Sequence, residues 1–186
     1  KIKSMGMSSI ALTDHGNLFG AMEFYSACKN EGIKPIIGME AYLIGNGSRL
    51  NREKAHGTKN KVYHIVLLSE NKQGYKNLLK LSTLSYLEGF YYRPRMDKEI
   101  LRKYSEGLIG LSACFSGEIT NLHLQNMDEE AQIAAEEYID IFGENNFFIE
   151  IQRHGMEQDS SYEKNVTLAK KLNIPFVATN DVHYTE

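Results

Sequence analysis

Ser9–Asn17 reads SIALTDHGN, a short apolar run that ends in Asp14 and His15 before a glycine. Near the other end, Pro175–Tyr184 reads PFVATNDVHY, a second apolar run that breaks into Asp181 and His183. Short apolar runs bounded by turn residues are the signature of buried strands. Two of them, separated by most of the chain, finish in the same acid and imidazole types, so the fold is decided by what lies between.

Between them, apolar runs and amphipathic stretches alternate. Strands are expected at Ile10–Leu12, Lys34–Ile44, Val62–Leu68, Leu108–Leu111, Phe147–Ile151 and Pro175–Ala178. Helical spacing of Leu18, Met22, Tyr25 and Cys28 runs to a stop at Gly32, and Tyr75, Leu78, Leu79, Ser82 and Tyr86 mark a second helix. A third carries Ala134, Tyr138, Ile141 and Phe142, with Asp128 as its expected cap and Gly143 as its end. The spacing in Ser160-Ser-Tyr-Glu163 is that of a capping box, opening a fourth helix that runs to Leu172. Residues 45–61 have no periodicity and read as a mobile loop. There is no internal repeat or low-complexity tract. Six strands in strand-helix units imply a parallel sheet buried on both faces, either an incomplete barrel or a doubly wound sheet.

The 186 residues suit one domain spanning 1–186, and 42% hydrophobic residues with 8 Phe and 11 Tyr suit a folded core. No run approaches the roughly 18 apolar residues of a membrane span, so no membrane partner is expected. Two cysteines, Cys28 and Cys114, with no secretory leader, read as reduced thiols in a cytoplasmic protein. A net charge of -3 excludes a global basic field for nucleic acid, so contact with DNA has to be local. The opening KIKSMGMSS, without an initiator Met, reads as the start of a fragment of something longer.

In parallel α/β folds the catalytic groups collect at the C-terminal ends of the strands. That rule gathers Asp14 and His15, Glu40, Cys114, Arg153 and His154, and Asp181 with His183, while His64 sits inside Val62–Leu68. Imidazole, carboxylate and thiol at one rim suit a cluster of divalent metals: Zn²⁺, Mn²⁺ or Fe²⁺, with Mg²⁺ as the less imidazole-rich alternative. The plainer readings are a hydrogen-bonded structural histidine at any one position, a core cysteine at Cys114, and helix caps at Asp14 and Asp181. Two further segments suggest nucleic acid. Arg49, Arg52, Lys54, His56, Lys59 and Lys61 make a basic loop or a solvated surface. Gly89–Arg95, GFYYRPR, interleaves aromatics with arginines as single-strand binders do, or packs under a proline turn.

Ala11–Leu43 (ALTDHGNLFGAMEFYSACKNEGIKPIIGMEAYL), Tyr63–Leu101, Gly110–Ile119 (GLSACFSGEI) and Val177–Tyr184 (VATNDVHY) resemble the PHP (polymerase and histidinol phosphatase) domain, in the form carried by the bacterial DNA polymerase III alpha subunit. The segments GYKNLLKL (Gly74–Leu81) and GFYYRPR make the polymerase form specific, and the resemblance covers essentially the whole chain. It implies an α/β fold, a PHP-type distorted (β/α)7 barrel, with His15, Glu40, His64, Cys114, Asp181 and His183 as metal ligands. It implies Asp14 as a partner behind the ligands, with Arg153 and His154 where a phosphate is met. The family's first motif, a His-x-His-Ser element on the first strand, is absent from these residues, so a fragment lacking that strand is expected. The polymerase palm also lies outside it.

The function so implied is a metal-dependent phosphoesterase with a 3′-5′ exonuclease or proofreading role, within a DNA-directed DNA polymerase. The expected partners are a DNA 3′ end, the rest of the polymerase III alpha chain and other replisome subunits, in a bacterial, nucleoid-associated cytoplasmic setting. The alternatives are a non-catalytic, metal-stabilised scaffold that docks the polymerase core or a proofreading subunit, and a free-standing phosphatase for small monoesters.

Overall fold

A computed structural model describes residues 1–155, 159 and 161–184. A 3₁₀ turn at Lys3–Met5 precedes β1 (Ser9–Leu12), α1 (Ala21–Glu31), β2 (Lys34–Ile44), β3 (Val62–Ser69), α2 (Lys72–Leu87), β4 (Arg95–Asp97) and α3 (Lys98–Lys103). Then come β5 (Leu108–Leu111), α4 (Glu118–Leu124), α5 (Asp128–Phe142), β6 (Phe147–Ile151), α6 (Ser161–Leu172) and β7 (Phe176–Ala178). The strands form one sheet in the order β1-β2-β3-β5-β6-β7, with β4 paired to β2.

The sheet is mixed, which corrects the parallel expectation. β1 with β2, β2 with β4, β5 with β6 and β6 with β7 are parallel, whereas β3 runs antiparallel to both β2 and β5. The reversal has a local cause: no helix lies between β2 and β3, only the chain from Gly45 to Lys61, and an antiparallel partner is what a connection without a crossover helix allows. β4 is a seventh strand that the sequence reading missed, since RMD is too short to show a period. It takes the edge of β2 at Tyr42–Ile44, beyond the stretch Lys34–Ile37 that β1 occupies.

Strand alternation divides the sheet into two faces. Met39, Ala41 and Leu43 of β2 and Ile65 and Leu67 of β3 are buried against Leu78, Leu81, Ile119, Tyr138 and Phe147 in the core under the helices. Glu40 and Tyr42 of β2 and His64 of β3 face the other way, with Tyr42 directly opposite His64 in the register. Among the described residues the outer edges of β1 and β7 carry no strand, and Phe176 and Ala178 of β7 are exposed. The result is a curled, open half-barrel.

The loop 45–61 is tied down rather than free. The Arg49 guanidinium bonds both oxygens of Asp97 at 3.1 Å and reaches Glu88 at 2.7 Å, and Arg52 donates to the carbonyls of Arg49 and Glu88, each at 2.7 Å. Lys61 donates to Asn121 at 2.7 Å. Half of the expected basic surface is therefore spent on holding the fold. Asp128 is also not a cap: Met127 precedes α5 with no side-chain cap bond, and the Asp128 carboxylate instead stands 2.8 Å from His123 Nδ1 and accepts from Lys164 at 2.9 Å. The expected capping residue Ser160 lies outside the described residues.

Candidate metal centre

The antiparallel turn of β3 decides the site. His64 is the third residue of its strand, so reversal brings it to the rim where the parallel strands finish. There it meets Glu40: His64 Nδ1 stands 2.5 Å from Glu40 Oε1. His15 follows β1 and pairs in parallel bridge fashion with Glu40, because Glu40 N donates to the Asp14 carbonyl at 3.1 Å and Gly16 N donates to the Glu40 carbonyl at 2.8 Å. His15 Nδ1 then lies 3.6 Å from Glu40 Oε2. One donor atom from each of His15, Glu40 and His64 falls within 4.8 Å of the others.

Gly16 is required for this turn. Its φ is +67, and a Cβ there would stand 2.9 Å from Pro94 Cγ and 3.0 Å from Tyr42.

Of the other residues singled out from the sequence, His183 and Cys114 lie beside this trio. The His183 ring centre is 5.7 Å from that of His15 and the His64 ring centre 5.6 Å. The Cys114 thiol lies close enough to His64 to raise the affinity of its imidazole for a proton. Asp181 sits at φ +48 with its Oδ1 3.9 Å from His183 Nδ1. Ala113, next to Cys114, is also left-handed at φ +63, so two of the turns that carry candidate donors hold an uncommon backbone conformation. The Asp14 carboxylate is turned toward Gly20 at the head of α1, where a Cβ would lie 3.1 Å from Oδ2. Arg153 and His154 are exposed past the end of β6, with His154 edge-on to Phe115 at 5.5 Å and 3.3 Å from Gln152 Oε1.

Electrostatics within the cluster favour charged forms. Burial alone would raise the Glu40 carboxyl, but the His64 hydrogen bond and the charges of His64, His15 and His183 outweigh it and hold Glu40 below its ordinary value. Burial alone would lower His64, yet the Cys114 thiol and the Glu40 carboxylate beside it lift the imidazole to about 9. A donor set of two imidazoles and a carboxylate, with a thiol in contact, fits a borderline divalent metal.

Two residues of the site were missed from sequence. Tyr42 packs its ring 5.2 Å from His64 and 6.2 Å from His15, and its signal was available as the same-face neighbour of Glu40 two positions on. Glu150 is 4% exposed and burial pushes its carboxyl up, with the nearby charges of Glu40 and Asp181 adding to this; Thr179 Oγ1 donates to it at 2.8 Å. Its place inside the apolar run FFIEI was the only hint.

Residues 1–154 match the PHP domain family. The DNA polymerase III subunit alpha of Borreliella burgdorferi is 51% identical over 185 residues, 99% of this chain. Those of Treponema pallidum and of Helicobacter pylori strain J99 are 46% and 44% identical over 99% and 100% of it. The chain spans 16% of the length of each of these relatives. Among solved structures, a Bifidobacterium adolescentis protein named as a "putative metal-dependent phosphoesterase" superposes with a TM-score of 0.57 at 10% identity, covering 98% of this chain and 80% of its own. That likeness agrees with a distorted barrel that is open on one side. The chain belongs to the PHP domain family.

Proposed function

We propose that this chain is the PHP domain, over residues 1–186, of a bacterial DNA polymerase III alpha subunit, and that its rim cluster is a divalent-metal phosphoesterase site acting on DNA 3′ ends. The observation that carries the reading is the convergence of His15, Glu40 and His64, from three separate segments, on one spot. Relatives of that name align over nearly the whole chain, which supports the parent protein, a DNA-directed DNA polymerase of the bacterial cytoplasm. Its further partners would be the rest of that alpha chain and other replisome subunits.

His15, Glu40, His64, Cys114, Asp181 and His183 would hold the metals, in a set suited to Zn²⁺, Mn²⁺ or Fe²⁺. Such ions lower the pKa of a water and neutralise charge on a phosphodiester. The chain's own groups do the rest. Glu40, buried and kept ionised, is a fixed anion that needs no reorganisation when a cation arrives. Gly16 and the left-handed turns at Ala113 and Asp181 set the directions of their neighbours. Tyr42 closes one wall beside the His64 and His15 imidazoles. Asp14, behind the His15 turn, and Arg153 with His154, exposed at the neighbouring strand end, are the groups assigned to orient the site and meet phosphate.

The test is elemental analysis and 3′-end trimming of a single-stranded oligonucleotide by the full-length protein, beside a His15→Ala, Asp181→Ala double variant. Loss of both metal and trimming is expected. Trimming unchanged in the double variant returns the site to a structural scaffold, and metal fully retained removes these two residues from the ligand set.

A further inference from the structure

Beside the cluster lies a turn that the phosphoesterase reading leaves without a task. Tyr91 N donates to the Arg93 carbonyl at 3.1 Å, which closes a tight turn and holds Tyr92 between them at φ +60. A bulky aromatic residue in the left-handed region is an outlier that persists only where surrounding structure enforces it, and such residues concentrate at binding sites. Tyr92 is 80% exposed, with its ring edge-on to Tyr91 at 4.6 Å. Pro94 is buried against the Gly16 turn, so this element is fixed to the same segment that carries His15.

Arg93 separates from the other arginines of the region. Arg49 is consumed by Asp97 and Glu88, and Arg95 is 2% exposed and spends its donors on the carbonyls of Gly89, Arg49 and Asn51. Arg93 is exposed, and among the described residues it has no carboxylate within ion-pair distance. Its guanidinium lies 4.8 Å over the Tyr42 ring and Nη1 donates to Tyr42 OH at 2.8 Å. Tyr42 is the residue that touches both His64 and His15, so this guanidinium is held one side chain away from the candidate metal cluster, with most of its donors free among the described residues.

An unneutralised guanidinium fork suits a phosphate, and an exposed tyrosine ring on a closed turn suits the face of an unpaired base. We propose that Tyr92 and Arg93 form the docking site for single-stranded nucleic acid at this centre, Arg93 binding a backbone phosphate next to the reacting one and Tyr92 stacking on a base. The inference rests on the phosphoesterase reading above and adds the element that docks its single-stranded substrate, since a duplex has its base faces already stacked and a small monoester has no base.

The experiment uses the full-length protein and a ten-nucleotide thymidine strand with 5-iodouracil near its 3′ end and phosphorothioate linkages that resist hydrolysis. Irradiation and peptide mapping should place a cross-link on Tyr91 or Tyr92. Tyr92→Asn, which tolerates the left-handed backbone and removes the ring, should abolish that cross-link. Arg93→Gln should cut its yield about tenfold at subsaturating strand, and Arg93→Lys should restore part of it. Cross-links only at other segments, or an undiminished yield in Arg93→Gln, overturn the proposal. Release of p-nitrophenol from bis(p-nitrophenyl) phosphate, a diester with no base to stack, is measured alongside. Its absence in the wild-type protein would sink the phosphoesterase reading, while the cross-link still decides the docking site.

Discussion

His15 and His183, near opposite ends of the chain, bring their ring centres to 5.7 Å, although β1 and β7 stand at the two ends of the sheet order. Only a sheet curled far enough to bring its edges together at one rim does this. If both imidazoles serve one metal cluster, removing either should weaken it. We expect His15→Ala and His183→Ala each to lower Zn²⁺ affinity at least about tenfold, the lower end of what even outer partners of a ligand cost. Competition with a chromophoric chelator in the full-length protein measures it. Unchanged affinity in either variant removes that residue from the site.

How much of this was legible beforehand depended on which physical signal each residue carried. His15 and His183 follow apolar strands, and strand ends are where parallel α/β folds expose chemistry, so a rule about strands located them; Glu40 lies within β2, level with His15 just past the end of β1. His64 obeyed a different rule: it sits early in β3 and reaches the rim because that strand runs backwards, which nothing in VYHIVLL announces. β4 was invisible at three residues, and Arg49 read as surface because a buried ion pair to Asp97, 48 positions away, leaves no local pattern. Local periodicity encodes elements, whereas pairing direction and long-range charge neutralisation are settled only in the packed sheet.

The Arg49 and Asp97 pair should be a large local contribution to stability. Asp97 is 2% exposed, holds the Arg49 guanidinium, accepts from Arg49 N at 2.9 Å and caps α3 through Ile100 N at 3.1 Å. Breaking a buried pair by removing one partner costs about 3–5 kcal/mol. Asp97→Ala should therefore lower the unfolding free energy measured in urea by that scale, whereas Asp140→Ala, which cuts the half-exposed ion pair to Arg102, should cost no more than about 1 kcal/mol. Equal effects from the two would contradict the assignment of the loop to this anchor.

Gly16→Ala tests the turn under the candidate centre. The added methyl meets Pro94 and Tyr42 at about van der Waals overlap, in a backbone conformation that L residues seldom adopt. Strain of this kind costs on the order of 1–3 kcal/mol. We expect a loss of that size in chemical unfolding together with reduced metal content, since the turn also carries His15. A variant that keeps full stability would mean that the turn relaxes freely.

Acid should act through Asp128. Its hydrogen bonds from His123 and then Lys164 hold its carboxyl below the ordinary value. A carboxyl whose folded pKa is depressed contributes stability that is present above its unfolded pKa and lost as pH falls through the folded one. Asp128→Asn should therefore lower Tm at pH 7 and converge with the wild-type protein as pH drops below the normal carboxyl range. A difference that stays constant from neutral pH to strong acid would show that the charge is not what matters there.

Asp181→Asn is the sharpest test of the proposed chemistry. Asp181 holds φ +48 beside His183, and Asn is the residue that best tolerates that backbone while keeping the size of the side chain. The substitution thus removes a charge and a metal-binding oxygen with little else disturbed. A neutral amide cannot replace a carboxylate among cations, so 3′-end trimming by the full-length protein should fall by at least about a hundredfold, the upper range for loss of a metal-site partner. Nucleotide incorporation, which the proposed parent protein would carry out at a separate site, should stay within about twofold. Primer-extension and trimming assays on one preparation give both numbers. If trimming survives at wild-type rate in nuclease-free protein, the cluster is a structural one. A parallel collapse of incorporation and trimming would instead mean that the domain acts by holding the polymerase together, with the metals as part of that support.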